Sequence, residues 1–324
     1  MLSPTFLAEL AARPGVPAES AAKLLATARH GFRVVRRPPL ARVGAEPQTF
    51  DCEGLEALPG KLVPAASGSS DPVIAAGASG ADAWQRFMRE VLRRPTLDGH
   101  GMPSRCCTHY SRSYCNAFWS GEEAVFGDGD GLMLRPFVAA VDFIGHEFMH
   151  AVTQFTAGLA YEGEAGALNE SMSDVFGVAL RQWVAGADAP PDWRFAPAVV
   201  GPTAQELGWD CLRHVAQPDA ASSMTKQPAR YGDYVPGGEP HTNSGIPNRA
   251  FYMATQNLGT QSWQLPLRCW YEALVAAANR PGLRFAEFAA LTVRMAAKAS
   301  PTAAASVEAA WRAVDVPVAA AVPL

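Results

Sequence analysis

His146, Glu147 and His150 fall within five residues of one another, and Glu170 and Asp174 follow in the next periodic segment. On an α-helix, residues four apart lie on one face, so His146 and His150 can reach one metal ion together. Glu147, one residue on from the first histidine, can hold a water at that metal and take its proton. A catalytic zinc takes three protein ligands and keeps a fourth position for water. Taken alone, the five-residue motif occurs by chance, and two histidines facing solvent is the competing reading. The apolar run Val138-Ala139-Ala140-Val141-Asp142-Phe143-Ile144-Gly145 argues against it by placing the histidines on a buried helix, where imidazoles need a partner. The segment from Ala165 to Gly177 also reads as a helix, with Glu170 and Asp174 on one face. Glu170 is then the third ligand, and Asp174 accepts the outer N–H of a ligand histidine and fixes its tautomer. The chemistry implied is metal-assisted hydrolysis, with a peptide bond as the expected substrate.

The same stretch resembles the thermolysin family of metalloproteases. The residues that carry the resemblance are His146 to Thr153, Thr156 to Leu159, and Asn169-Glu170 through Asp174. Further blocks agree in order: Asn116-Ala117-Phe118-Trp119-Ser120-Gly121, then Phe126 to Gly131, then Gly237 to Asn248. The similarity runs over roughly residues 45 to 316. It implies an α+β, two-lobed fold, with a β-rich lobe over 45–155 ending in the metal-binding helix and a helical lobe over 156–316. The cleft and one zinc ion lie between the lobes.

By that resemblance Tyr161 and His241 meet the oxyanion while Glu147 moves the proton. Asn116, Ala117 and Trp119 bind the substrate as an added strand. Leu134, Phe137 and Phe143 align with an apolar pocket that implies cleavage before a hydrophobic residue, although all three would also serve as core. Three departures stand out. Ser222 occupies the place of an arginine two residues before the methionine aligned with Met224, leaving Arg213 or Arg230 to substitute from elsewhere. Val235 and Pro236 stand where an acid orients the catalytic histidine, with Asp233 or Glu239 as possible replacements. Arg181 and Ala196-Pro197 replace carboxylates, so a double-calcium site is not expected.

The elements that position these residues are legible in outline. Ala18 to Arg29 reads as a helix, followed by Arg36 to Arg42, which cannot continue one. Residues 1–44 resemble the short prosegment of the protealysin-like branch, acting as an intramolecular inhibitor and removed near residues 42–49; a permanently attached helix is the alternative. Pro47 to Cys52 and Leu58 to Pro64 suggest short strands. Residues 82–94 read as an amphipathic helix capped by Asp82. Strands and turns are expected from Asp98 to Gly131, helices from 137 onward apart from a loop-rich stretch at 186–245, and a disordered tail over 317–324.

At 324 residues the chain can bury a large core, and 27 basic against 31 acidic residues give no surface for nucleic acid. No apolar run is long enough to span a bilayer. Met1 to Glu9 lacks the pattern of a secretory signal, implying a cytoplasmic protein or a non-classical export route. The six cysteines match no zinc-finger spacing and are expected to be reduced thiols. Two other functions compete with a zinc endopeptidase: a zinc-stabilised protein that grips peptides without cutting them, and a zinc hydrolase acting on a non-peptide substrate.

Overall fold

The structure, a computed structural model, describes residues 2–30, 35–36 and 45–319. The chain opens with α1 (Pro4–Ala11) and α2 (Ala18–His30), followed by β1 (Val35–Arg36), β2 (Gln48–Asp51), β3 (Ala57–Leu58) and β4 (Lys61–Leu62). Sequence periodicity gives no warning of α1, which spans barely two turns. Its start signal is local: Ser3 Oγ accepts from Phe6 N, and Pro4 sits at the first helical position. Most of the basic, proline-rich stretch expected to end the prosegment lies outside the described residues.

Next comes α3 (Pro72–Glu90), which starts ten residues earlier than the sequence suggests. Asp71 is its cap, accepting from Val73 N and Ile74 N, and Asp82 is an exposed residue inside the helix. The first half is rich in alanine and glycine because neighbours press close. A Cβ on Gly80 would meet Ile144 Cδ1 at 2.2 Å, so size, not hydrophobic periodicity, sets this stretch.

Strands β5 (Arg105–Thr108), β6 (Ala117–Trp119) and β7 (Ala124–Phe126) complete a five-stranded sheet of order β4-β2-β5-β7-β6. The pairs β2–β5 and β5–β7 are parallel, while β2–β4 and β6–β7 are antiparallel. This leaves β6 as an edge strand, with Asn116 immediately before it. Leu58, Cys107, Tyr110, Phe118 and Val125 pack one small core on the sheet.

The remainder is mainly helical. It comprises α4 (Val141–Gln154), α5 (Gly163–Ala185), β8 (Arg194–Phe195), α6 (Pro202–Glu206), β9 (Arg213–His214), α7 (Pro240–Asn243), α8 (Gly245–Leu258), α9 (Leu265–Ala276), α10 (Phe285–Ala297) and α11 (Pro301–Ala313). The last helix begins earlier than expected because Ser300 caps it, accepting from Ala303 N. Trp270 and Trp311, stacked 5.7 Å apart, anchor this end of the main core. Of the expected tail, residues 317–319 are described, and Ala319 N bonds Ala286 O.

Two helices decide the site. A Cβ on Gly177 of α5 would lie 2.2 Å from the Asp142 carbonyl of α4, so only glycine allows the backbones to approach this closely. That approach brings the histidine face of α4 against the acidic face of α5. The six cysteines are free and buried, and burial pushes the thiols of Cys115 and Cys211 up to about 12.

Candidate active site

His146 and Glu147 are fully buried and His150 nearly so. His146 Nε2 and His150 Nε2 lie 3.2 Å apart, and Glu170 carboxylate oxygens approach them at 3.4 and 3.6 Å. Two imidazole nitrogens this close, with a carboxylate against both, satisfy one another poorly. Glu170 Oε2 is buried and accepts no hydrogen bond. The three side chains form the group able to hold a metal among the described residues, with ligand atoms all within 4.8 Å. Two nitrogens and one carboxylate are the donor set that zinc prefers, so the residues fit that ion.

The outer nitrogens are engaged as a metal centre requires. His146 Nδ1 donates to Asp174 Oδ1 at 2.9 Å, which leaves Nε2 with its lone pair facing the cluster. His150 Nδ1 lies 2.9 Å from Asn169 Oδ1 and 3.1 Å from Ser173 Oγ. Both are residues of α5 whose part the sequence reading did not assign. Burial lowers the His150 imidazole to about 4, which keeps it neutral and able to ligate.

Asp174 is the hub behind the cluster. It accepts from Arg213 Nε at 2.8 Å and Nη2 at 2.6 Å, and from Asn248 Nδ2 at 2.9 Å. Its burial would raise the carboxyl, but the Arg213 guanidinium and the His146 bond outweigh that and hold it well below the usual range. Arg213, itself 1% exposed, also lies over the Phe195 ring at 4.4 Å. Of the two arginines considered in place of the one absent at position 222, Arg213 is bound to Asp174, whereas Arg230 lies 3.8 Å from Asp315. Ser222 instead uses its backbone carbonyl to accept from Asp210 N.

Tyr161 and His241 reach the cluster from outside α4 and α5. The Tyr161 hydroxyl donates to Glu170 Oε1 and stands 3.3 Å from His241 Nε2. His241 Nε2 lies 3.2 Å from Glu170 Oε2. Burial, reinforced by the Glu170 charge, raises the Tyr161 phenol well above its ordinary value, and burial lowers the His241 imidazole. Gln227 Nε2 donates to the His241 carbonyl at 2.5 Å, fixing the turn that carries it. Among the described residues no carboxylate bonds the other ring nitrogen. Val235 pairs its backbone with the Asn243 side chain, and Glu239 accepts from Thr5 Oγ1 at 2.6 Å.

The expected substrate edge is occupied. Asn116 Oδ1 accepts from Leu2 N at 2.7 Å, and its Nδ2 donates to Leu2 O at 2.8 Å. Leu2, Phe6, Leu7 and Leu10 of the first segment join the main core. A cavity of ≈500 Å³ lies between α1 and Arg213, His241 and Thr242. A second, of ≈360 Å³, is lined by Trp119, His150, Gln154, Gly158, Leu159, Tyr161 and Asn169. Leu134, Phe137 and Phe143 line neither. All three are fully buried, with Phe137 and Phe143 edge to face at 5.0 Å and Phe143 against Phe195 and His146. They share the main core cluster with Leu2 of the first segment.

Arg181 stands where metal-binding carboxylates were looked for. Its guanidinium donates to Asp142 Oδ2 at 2.8 Å and to Asp192 Oδ2 at 3.0 Å, and also reaches the Asp192 and Arg194 carbonyls. Asp142 accepts from Ala196 N as well.

Comparison with known proteins agrees with this geometry. The family model for the thermolysin metallopeptidase catalytic domain matches residues 66–154, and that for its alpha-helical domain matches 157–316. An extracellular metalloprotease of Pectobacterium carotovorum is 37% identical over 83% of this chain and 80% of its own. Thermolysin of Alicyclobacillus acidocaldarius is 36% identical over 64% of the chain, which spans 38% of that longer protein. Among solved structures, the precursor of protealysin, a metalloproteinase from Serratia proteamaculans, superposes with a TM-score of 0.84. It is 32% identical and is covered over 99% of its length by 98% of this chain. With a buried His-His-Glu cluster on two crossing helices and relatives matched across both halves, this chain belongs to the thermolysin metallopeptidase family of zinc-dependent metalloendopeptidases.

Proposed function

We propose that this protein hydrolyses peptide bonds inside polypeptides, using one zinc held by His146, His150 and Glu170, and is made as a precursor whose first segment blocks the cleft. The observation that carries the reading is Glu147, a fully buried carboxylate one residue from a metal ligand. When bound, zinc supplies Lewis acidity that polarises the scissile carbonyl and acidifies the attacking water. Glu147 takes the proton of that water and passes it to the leaving amine. Tyr161 and His241 converge on the space beside Glu170, where they meet the oxyanion developing on the carbonyl; a donor of this kind is worth roughly 3 to 4 kcal/mol in the barrier. Asp174 holds the His146 tautomer, and Arg213 and Asn248 hold Asp174.

Residues 1–44 act as the prosegment, 45–155 and 156–316 as the two lobes, and 317–324 as a tail. Support for the inhibitory role is the pairing of Leu2 with both ends of the Asn116 amide, the group that with Ala117 would hold an extended substrate. An apolar residue held there supports a preference for a hydrophobic residue after the cut. Arg181, donating to both Asp142 and Asp192, supports a fold that needs no double-calcium site. Export of the chain accords with the relative named as extracellular, and no helix among the described residues is long and apolar enough to cross a membrane.

The test is a time course of purified full-length protein with casein, with and without a zinc chelator. Casein cleavage together with shortening of the chain near residue 45, both abolished by chelation, supports the proposal. A stable chain that binds zinc and cuts nothing would favour a cleft that only grips peptides, and would point to the missing acid behind His241.

A further inference from the structure

The five-stranded sheet carries a pair of thiols that the metal chemistry does not use. Cys52 follows the last residue of β2, and Cys107 lies in β5 beside it. The two strands run parallel, with Phe50 paired to Cys107 and Asp51 to Thr108. Cys52 N then donates to the Thr108 carbonyl at 2.9 Å, which holds the strands together one residue past the last pair. Side chains alternate along a strand, so Phe50, Cys52 and Cys107 rise from one face. All three are 1% exposed or less and pack in the small core with Leu58, Tyr110 and Val125. The two thiols share a hydrogen bond. Cys107 gives its own proton to the Pro59 carbonyl at 3.0 Å, so towards Cys52 it is the acceptor. Cys106, the preceding residue of β5, faces the opposite way into the main core, where a Cβ on Gly77 would meet its Sγ at 3.1 Å. The alternation therefore selects Cys107 over its neighbour as the partner of Cys52.

We infer that Cys52 and Cys107 form a disulfide when the chain folds under oxidising conditions, a covalent brace that ties β2 to β5. The co-reactant is a small-molecule disulfide such as oxidised glutathione, of the kind an exported chain meets. The thiolate of one cysteine attacks a sulfur of that disulfide, forming a mixed disulfide and releasing one glutathione thiolate. The second protein thiolate displaces the other glutathione and closes the bond. Two electrons pass to glutathione, whose two released sulfurs take up the two protons that the cysteines lose. Burial, with the bond to Cys52, pushes the Cys107 thiol well above its ordinary value, so exchange is slow once the small core has closed. The bond is made during folding, and the same burial then shields it from reduction. Cys106, Cys115, Cys211 and Cys269 stay thiols; Cys115 donates to the Ser113 carbonyl, and Cys211 lies 3.5 Å from Ser223 Oγ. The brace needs no peptidase activity and draws on the export reading for its natural oxidant alone.

The experiment uses full-length Glu147→Gln, which keeps the chain uncut, made by cell-free translation with zinc. One sample folds in reduced glutathione alone and the other in mixed oxidised and reduced glutathione. Free thiols are blocked with iodoacetamide in urea, disulfides are then reduced, and the thiols so released are labelled with N-ethylmaleimide. Tandem mass spectrometry of tryptic peptides 43–61 and 106–112 assigns a label to each sulfur, separating Cys106 from Cys107. The expected result after oxidation is maleimide on Cys52 and Cys107 and iodoacetamide on the other four cysteines. The reduced sample carries iodoacetamide throughout. The oxidised chain melts about 4 °C or more above the reduced one, since a tie between distant positions restricts the unfolded chain. Cys52→Ser abolishes both the maleimide on Cys107 and the gain in melting midpoint. Should that variant misfold, the label map of the parent chain carries the test unaided. Iodoacetamide on Cys52 and Cys107 after oxidation, maleimide on Cys106 in place of Cys107, or equal melting midpoints overturns the inference. Because the oxidant is supplied in the tube, such a failure removes the brace alone and leaves the endopeptidase and export readings standing.

Discussion

The two walls of the site are built by opposite strategies. On α4 and α5, His146, Glu147, His150, Glu170 and Asp174 are placed by helical spacing, and one close contact at Gly177 brings the two faces together. The facing wall, from β8 to α7, has little regular structure. Arg213 and His241 are held there by buried hydrogen bonds to partners far along the chain: Arg213 to Asp174, and the His241 carbonyl to Gln227. The first wall derives its precision from backbone geometry, which tolerates change at exposed positions. The second derives it from satisfied polar groups in the interior, where losing one partner leaves the other uncompensated.

The contrast can be broken at several points. The largest effect falls on the helical wall. Glu147→Ala removes the general base and lowers kcat by 10² to 10⁴-fold or more, while metal content, read by atomic absorption, stays at the wild-type level because the ligands are untouched. Next is the buried pair behind the cluster. Arg213→Met leaves the Asp174 charge without its cation and costs about 3 to 5 kcal/mol in chemical denaturation. Equal stability in the variant would mean that Asn248 and His146 suffice to hold Asp174. Tyr161→Phe is expected to lower kcat by about 10² to 10³-fold with little change in KM, because the lost donor acts on the transition state. A rise in KM alone would make Tyr161 a binding residue.

The smallest effect lies away from both walls. His109 Nδ1 is 2.8 Å from Asp128 and its Nε2 is 3.3 Å from Asp71. The bond to Asp128 raises its imidazole from the ordinary 6.5 to about 9. A folded-state pKa above the unfolded one stabilises the protein fully below pH 6.5, and that stabilisation is lost as pH rises through about 9. Thermal melts of wild type and His109→Gln should therefore differ most near pH 6 and converge above pH 9. A gap that does not change with pH would assign His109 a packing role instead.

Much of the helical wall was legible because a period of four residues is written directly in the sequence. His146, His150, Glu170 and Asp174 could be placed on facing helices from spacing and apolar context alone. What stayed hidden depends on contacts without a local signature. Asn169 and Ser173 lie inside the motif, yet their bonds to His150 follow from the crossing of two helices, which spacing within one helix does not specify. Arg213 could be named only as a distant substitute, since its role arises from a pairing across 39 positions. The long α3 was read short because glycine and alanine packed against neighbours look like a linker. Leu134, Phe137 and Phe143 were legible as apolar, but the contact of Phe143 with Phe195 was not, since it joins separate segments of the chain.

The most direct test of the account measures zinc content and peptide cleavage on the same samples of wild type and Glu147→Ala. The account predicts one zinc per chain in both proteins and cleavage in the wild type alone. A Glu147→Ala protein that still cuts, or a wild type that carries zinc and cuts nothing after its first segment is removed, would contradict it.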